Sequence, residues 1–161
     1  MDPIIEPSVR LMSLNASLLE QAVADLSDDQ LWATPGKDSN PLIWILGHAT
    51  ASRDSLLGGL TGSRLGLPWF PAFARGAKPI DRAQCPPLAE IQRGMNEVSA
   101  RMTAALAAQN AEMLERPSPV QLPAADGTLR GFIAFLSFHE TYHVGQAAYL
   151  RKWLGFPGMV G

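Results

Sequence analysis

Three histidines, His48, His139 and His143, are the only imidazoles in the chain. Two of them stand four residues apart in the string Phe138-His139-Glu140-Thr141-Tyr142-His143. On a helix that spacing stacks them on one face, one turn apart. Two neutral imidazoles so placed can converge on a single cation at about 2.0–2.1 Å, the usual zinc–nitrogen distance. Phe132, Leu136, Ala147, Leu150 and Leu154 continue the same face, so the pair projects from a core-facing stripe. Burying two imidazoles without partners is costly. Either each is a core histidine hydrogen-bonded to a neighbour, or one metal ion satisfies both. The third histidine closes Trp44-Ile45-Leu46-Gly47-His48 and shares a stripe with Ile45, Ser52 and Leu56, so it too should face a core. Helical bundles build metal and cofactor sites from facing side chains of this kind. Three protein ligands with an open fourth position is the catalytic pattern, whereas structural zinc sites are closed by four.

Other chemistry competes for the same residues. His139-Glu140-Thr141-Tyr142-His143 matches the HExxH signature of zinc peptidases. Those enzymes take a further ligand downstream, and the eighteen residues after His143 contain no His, Asp, Glu or Cys, so the peptidase reading is poor. Glu140 stands either as a general base beside a metal site or as an acid on the polar flank of its helix. Glu140 and His143 also form the ExxH element of di-iron carboxylate sites. That site needs a second such pair, and Ile45 occupies the position three before His48. Gln146, one turn from His143, is a candidate for orienting a ligand histidine or contacting a bound cofactor or substrate; the alternative is a solvated amide. A dication held by three neutral imidazoles keeps its full charge and so acidifies water or a thiol. Trp69, Phe70 and Phe73 either cover the metal cleft or form a dimer contact. Arg151 either binds an anionic substrate or is a solvated charge at a helix C-terminus. Cys85 has no basic residue on its immediate flanks and is not proposed as a nucleophile.

The elements that must position these groups are helical. The chain has 161 residues, 47% apolar and 17% charged, with fifteen acids against thirteen bases for a net charge of -2. That is one domain, 1–161, with enough apolar residues for a core. No apolar run reaches the roughly 18 residues of a membrane span. The start shows no basic region followed by an apolar block, so no secretion signal is expected. Without Lys/Arg clusters, neither nucleic acid nor anionic lipid is expected as a partner. A single cysteine excludes an internal disulfide and makes the reducing cytoplasm the default location.

A first helix is expected over about Glu6 to Leu26, with Leu11, Leu14, Leu18 and Ala22 as its buried stripe. Ser27 and Gln30 make a capping box, with Leu26 and Leu31 as a hydrophobic staple, for a short second helix that Pro35-Gly36 ends. Asn40 as N-cap and Pro41 in the first turn start a helix through Leu57, stopped by Gly58-Gly59. Leu60 to Pro87 is rich in Gly and Pro and has no sustained period; a loop that long suggests a crossover, lid or interface. Pro86-Pro87 opens a helix carrying Leu88, Ile91, Met95, Val98, Met102 and Ala105. Asn110 to Ala125 reads as a loop, and a last helix runs from about Thr128 to Leu154, stopped by Gly155 and Pro157. The fold class is all-α, a four-helix bundle with one long crossover between the second and third main helices.

Three pieces of the chain resemble the DinB-like family of small bacterial four-helix proteins. They are Asn40-Pro41-Leu42-Ile43-Trp44-Ile45-Leu46-Gly47-His48, then His139-Glu140-Thr141-Tyr142-His143-Val144-Gly145-Gln146, then Tyr149-Leu150-Arg151 with Gly155. The resemblance implies a bundle with that crossover, and that His48, His139 and His143 correspond to the family's three metal-binding histidines. It implies a divalent ion, nickel or zinc, and a homodimer. Relatives with known activity include thiol-dependent transferases and isomerases, so the resemblance implies a small-molecule substrate and a low-molecular-weight thiol. Two functions follow as expectations: a metal-dependent transferase or hydrolase, and a non-catalytic metal-binding or stress protein whose site is structural or vestigial. They differ in whether the fourth metal position opens onto a cleft.

Overall fold

The computed structural model describes residues 1–122 and 126–159. Its helices are α1 (Glu6–Val23), α2 (Asp28–Trp32), α3 (Leu42–Thr61), α4 (Leu88–Ala107), α5 (Ala111–Leu114) and α6 (Leu129–Trp153). Among the described residues there is no strand, only an isolated bridge between Pro117 and Thr128. No helix among them is long and apolar enough to cross a membrane.

The expected capping box forms: Ser27 accepts from the Gln30 amide, and the Gln30 side chain accepts from the Ser27 amide. The α3 start differs from expectation. Pro41 is the N-cap, with no side-chain cap; Asn40 stands one position too early. The α3 end differs too. Gly58 and Gly59 do not stop the helix, which continues to Thr61 and closes on Gly62 at φ 75°, its amide bonded to the Gly58 carbonyl. The two glycines serve close packing instead. A Cβ on Gly59 would lie 2.7 Å from Pro119, and one on Gly58 2.7 Å from Arg64. The segment expected as a loop after Asn110 contains α5, capped by the Asn110 side chain on the Met113 amide. Its last residues, Pro123 to Ala125, lie outside the described ones, as do Val160 and Gly161 of the expected 1–161 domain. Thr128 caps α6 through the Gly131 amide.

The four long helices close around two apolar clusters. One joins Leu19 and Val23 of α1, Leu42 to Ala49 of α3, Ile91 and Met95 of α4, and Val144 to Leu150 of α6. The other joins Met12, Leu56 and Leu60, Met102 and Leu106, and Leu129 to Leu136. This pairing makes α3 and α4 parallel, with α1 and α6 antiparallel to both. Parallel neighbours cannot be joined by a tight turn, which is why 62–87 must travel the length of the bundle. The α1 stripe keeps the expected Ala22 but otherwise lies one residue from the expected Leu11, Leu14 and Leu18. Met12, Asn15, Leu19 and Ala22 are buried, while Leu11 and Leu14 are exposed. A buried asparagine interrupts the apolar pattern: the Asn15 amide donates to the Ser137 carbonyl and the Thr141 hydroxyl.

Between the clusters runs a polar layer centred on Arg53 and Glu140. Arg53 Nε donates to Glu140 Oε1 at 2.6 Å and Nη2 to Oε2 at 2.8 Å. The remaining guanidinium donors reach Ser99 Oγ and the Met12 carbonyl. Both side chains are almost fully buried.

Candidate metal centre

His48 reaches the centre from α3, and His139 and His143 from α6. Their ligand nitrogens lie within 4.8 Å of one another. Among the described residues this is the one group of His, Cys, Asp or Glu able to hold a metal. His139 Nε2 is 3.2 Å from His48 Nε2 and 3.2 Å from His143 Nε2.

Hydrogen bonding fixes what those nitrogens present. His48 Nδ1 lies 2.6 Å from the Phe73 carbonyl, which can only accept. The proton therefore sits on Nδ1 and the Nε2 lone pair points inward. His143 Nδ1 lies 2.8 Å from Gln146 Oε1, with the same consequence, and the Gln146 amide is itself tied to the Tyr142 hydroxyl. Two lone pairs thus converge on His139 Nε2, which carries at most one proton. His139 Nδ1 is buried with no partner. No tautomer of His139 answers both facing lone pairs, whereas a cation does so at all three Nε2 atoms, with the His139 proton on Nδ1. The residues fit a divalent ion.

Electrostatics agree. Burial chiefly, and then the neighbouring histidines, pulls the His139 and His143 pKa values down to about 4. Burial lowers His48 as well, opposed by its bond to Phe73. The imidazoles are neutral at pH 7, the form that ligates a metal.

Each histidine is braced from its own helix. Trp44, four residues before His48, stacks on it with centroids 4.6 Å apart and planes 7° apart. Phe135, four before His139, lies over that ring at 6.2 Å and 20°. Gln146 braces His143 from three residues beyond. The i,i+4 spacing of both aromatics was the available sequence signal for these contacts. The Phe73 carbonyl, a backbone group on the crossover, had none.

Other expected residues take different places. Glu140 stands neither on a polar flank nor in the imidazole cluster. It is 1% exposed, and both of its oxygens are held by Arg53. Burial raises its pKa, and the Arg53 charge opposes that shift. With its carboxylate committed to the guanidinium, we assign it no proton-transfer role. Arg151 is neither solvated nor at the centre. It is buried, donates to the Ala22 and Ala24 carbonyls at the end of α1, and lies over Phe156. Phe70 and Phe73 line the cleft beside the histidines, and Trp69 packs edge-on against both. Burial pushes the Cys85 thiol up to about 11, which makes it a poor nucleophile.

The cluster has an open side. A cleft of about 970 Å³ reaches His48 and His139 between α3, α6 and the crossover. An all-helical bundle with a long crossover between parallel helices and three converging imidazoles defines a class of bundle whose histidines could hold a metal ion. Residues 12–147 match the DinB superfamily, and the chain belongs to it. Its structure is similar to a crystal structure described as the conserved protein of locus from Enterococcus faecalis, with a TM-score of 0.72 at 15% identity. The match covers 94% of this chain and 96% of that one, a likeness of fold. No curated protein matches the chain significantly.

Proposed function

We propose that this chain is a divalent-metal-dependent enzyme acting on a small molecule in the cleft, first as a thiol-dependent transferase and second as a hydrolase. One observation carries the reading: the three-imidazole cluster opens onto a cleft large enough for an organic substrate. A structural or vestigial site has no use for that opening. Imidazole donors suit nickel or zinc. A bound ion of this kind supplies Lewis acidity to a thiol or water brought against it. The protein's own groups do the rest. Phe73 and Gln146 hold His48 and His143 in the ligating tautomer, and Trp44 and Phe135 shield the imidazoles from water. A chain with one half-buried thiol suits the reducing cytoplasm.

The protein loaded with nickel or zinc is expected to hold about one ion per chain by elemental analysis. His48→Ala, His139→Ala and His143→Ala should each lose most of it. The extensive apolar clusters should keep helical circular dichroism intact in the variants and after chelation. Unchanged stoichiometry in all three variants would remove the site. Addition of a low-molecular-weight thiol should alter the absorption spectrum of the nickel protein; an unchanged spectrum defeats the thiol reading.

A homodimer is supported by the outer face of α6. Phe138, Tyr142, Tyr149 and Trp153 are exposed on one face, with Gly145 among them. A glycine inside a helix costs about 1 kcal/mol, and nothing lies within 4 Å of where a Gly145 Cβ would be. The chain's own packing does not require that glycine, and a second copy packed closely on this face would. Wild-type protein should sediment as a dimer and Gly145→Arg as a monomer. A monomeric wild type rejects the assignment.

A further inference from the structure

We propose that the cleft beside the histidines binds an organic anion, with Arg64 and Arg75 holding its charged group and the aromatic wall of α6 its apolar body. This rests on the cleft being the substrate site and names the class of substrate.

The arginines of this chain are mostly spoken for. Arg10, Arg53, Arg82, Arg101 and Arg130 pair with carboxylates, and Arg116 and Arg151 donate to carbonyls. Among the described residues Arg64, Arg75 and Arg93 have no such partner, and two of these three line the cleft that reaches His48 and His139. Among the described residues that line it, Asp54 is the only carboxylate, and it forms no ion pair with either arginine. It is buried, and its Oδ1 accepts from the Leu65 amide at 2.6 Å and the Gly66 amide at 3.4 Å. One carboxylate against two guanidiniums leaves the cleft a net positive charge before any cation is added.

Arg64 has a seat built for it. Its stem crosses α3 at Gly58, where a Cβ would lie 2.7 Å from Cγ and 2.9 Å from Nε. Arg75, on the crossover just past Phe73, lines the same cleft as His139. Phe132, Phe135 and Leu136 of α6 line the same cleft. Guanidinium groups match carboxylates with two parallel hydrogen bonds. At about 970 Å³ the space lies toward the upper end of small-molecule pockets. An apolar body ending in a carboxylate is the ligand that satisfies both halves.

The test compares 4-phenylbutyrate with its neutral analogue 4-phenylbutyramide by calorimetry on the zinc-loaded full chain. Zinc content is measured on the same samples. The acid is expected to bind about tenfold more tightly than the amide, the value of a charged hydrogen bond. Arg64→Gln and Arg75→Gln should each shrink that preference, and the double variant should abolish it. Arg93→Gln should leave it alone, and zinc content should be unchanged throughout. Equal binding of acid and amide, binding of neither, or a preference that survives the double variant overturns the proposal. Zinc-free wild-type protein would instead defeat the metal site, and the acid-over-amide preference read on that sample would still decide the anion site.

Discussion

Glu140→Ala is expected to destabilise the protein by about 3–5 kcal/mol, the cost of leaving one partner of a buried ion pair unmatched. Arg53 would then keep a full charge at 3% exposure with only Ser99 Oγ and the Met12 carbonyl as acceptors. Desolvating a charge costs far more than those two bonds return. Glu140→Gln should lie close to it, since a neutral amide cannot answer the guanidinium charge. The instructive variant is the double replacement Arg53→Met with Glu140→Leu. Both charges leave, the volume is roughly kept, and stability should return to within about 1–2 kcal/mol of wild type, because buried pairs gain little over apolar packing. Urea midpoints of the four proteins measure this. A general base would behave differently: its removal would abolish turnover and leave the midpoint in place. A Glu140→Ala midpoint equal to wild type would return Glu140 to the list of candidate reactive groups.

The same residue shows what was legible in the sequence. The HExxH string draws attention to Glu140 as chemistry, because its functional partner in that motif is local. Its actual partner is 87 residues away, and no spacing rule points to Arg53. His139 and His143 were readable because helix geometry alone puts i and i+4 together. Placing His48 with them required knowing that α3 and α6 are neighbours, which helical periodicity does not fix and the family resemblance implied. On α1 three leucines made the wrong stripe persuasive. The true one runs through Asn15, whose burial is satisfied by groups on another helix, Ser137 and Thr141 among them. Gly58 and Gly59 read as a stop for a related reason: a glycine that ends a helix and one that admits a neighbouring side chain look identical until the neighbour is placed. The long gap between α3 and α4 was correctly an irregular crossover. That its Phe73 carbonyl would hold the His48 imidazole could not be read, since every residue carries a carbonyl.

That carbonyl makes Gly47→Ala the most informative substitution at the centre. Gly47 precedes His48 on α3, and a Cβ there would run into the Phe73 ring. Phe73 is fully buried in the cluster that packs α3 against α4 and α6, so the ring cannot swing into solvent at low cost. Alanine is the better helix former by about 1 kcal/mol, but overpacking a filled core costs about 1–3 kcal/mol, and the second should win. The larger effect is on the ligand. Moving Phe73 withdraws the acceptor of His48 Nδ1, which now lies at 2.6 Å. His48 is then free to turn or to place its proton on Nε2, where no metal can bind. Loss of such a supporting partner typically costs about 10–100-fold in metal affinity. Chelator competition for zinc should therefore show a drop of that order in Gly47→Ala, with helical content retained. Adding Phe73→Leu to the same chain makes room for the new methyl while leaving the backbone carbonyl in place, and should recover most of the affinity. Full-strength zinc binding by Gly47→Ala would mean that His48 is held by Trp44 stacking alone, and that the crossover covers the centre without orienting it.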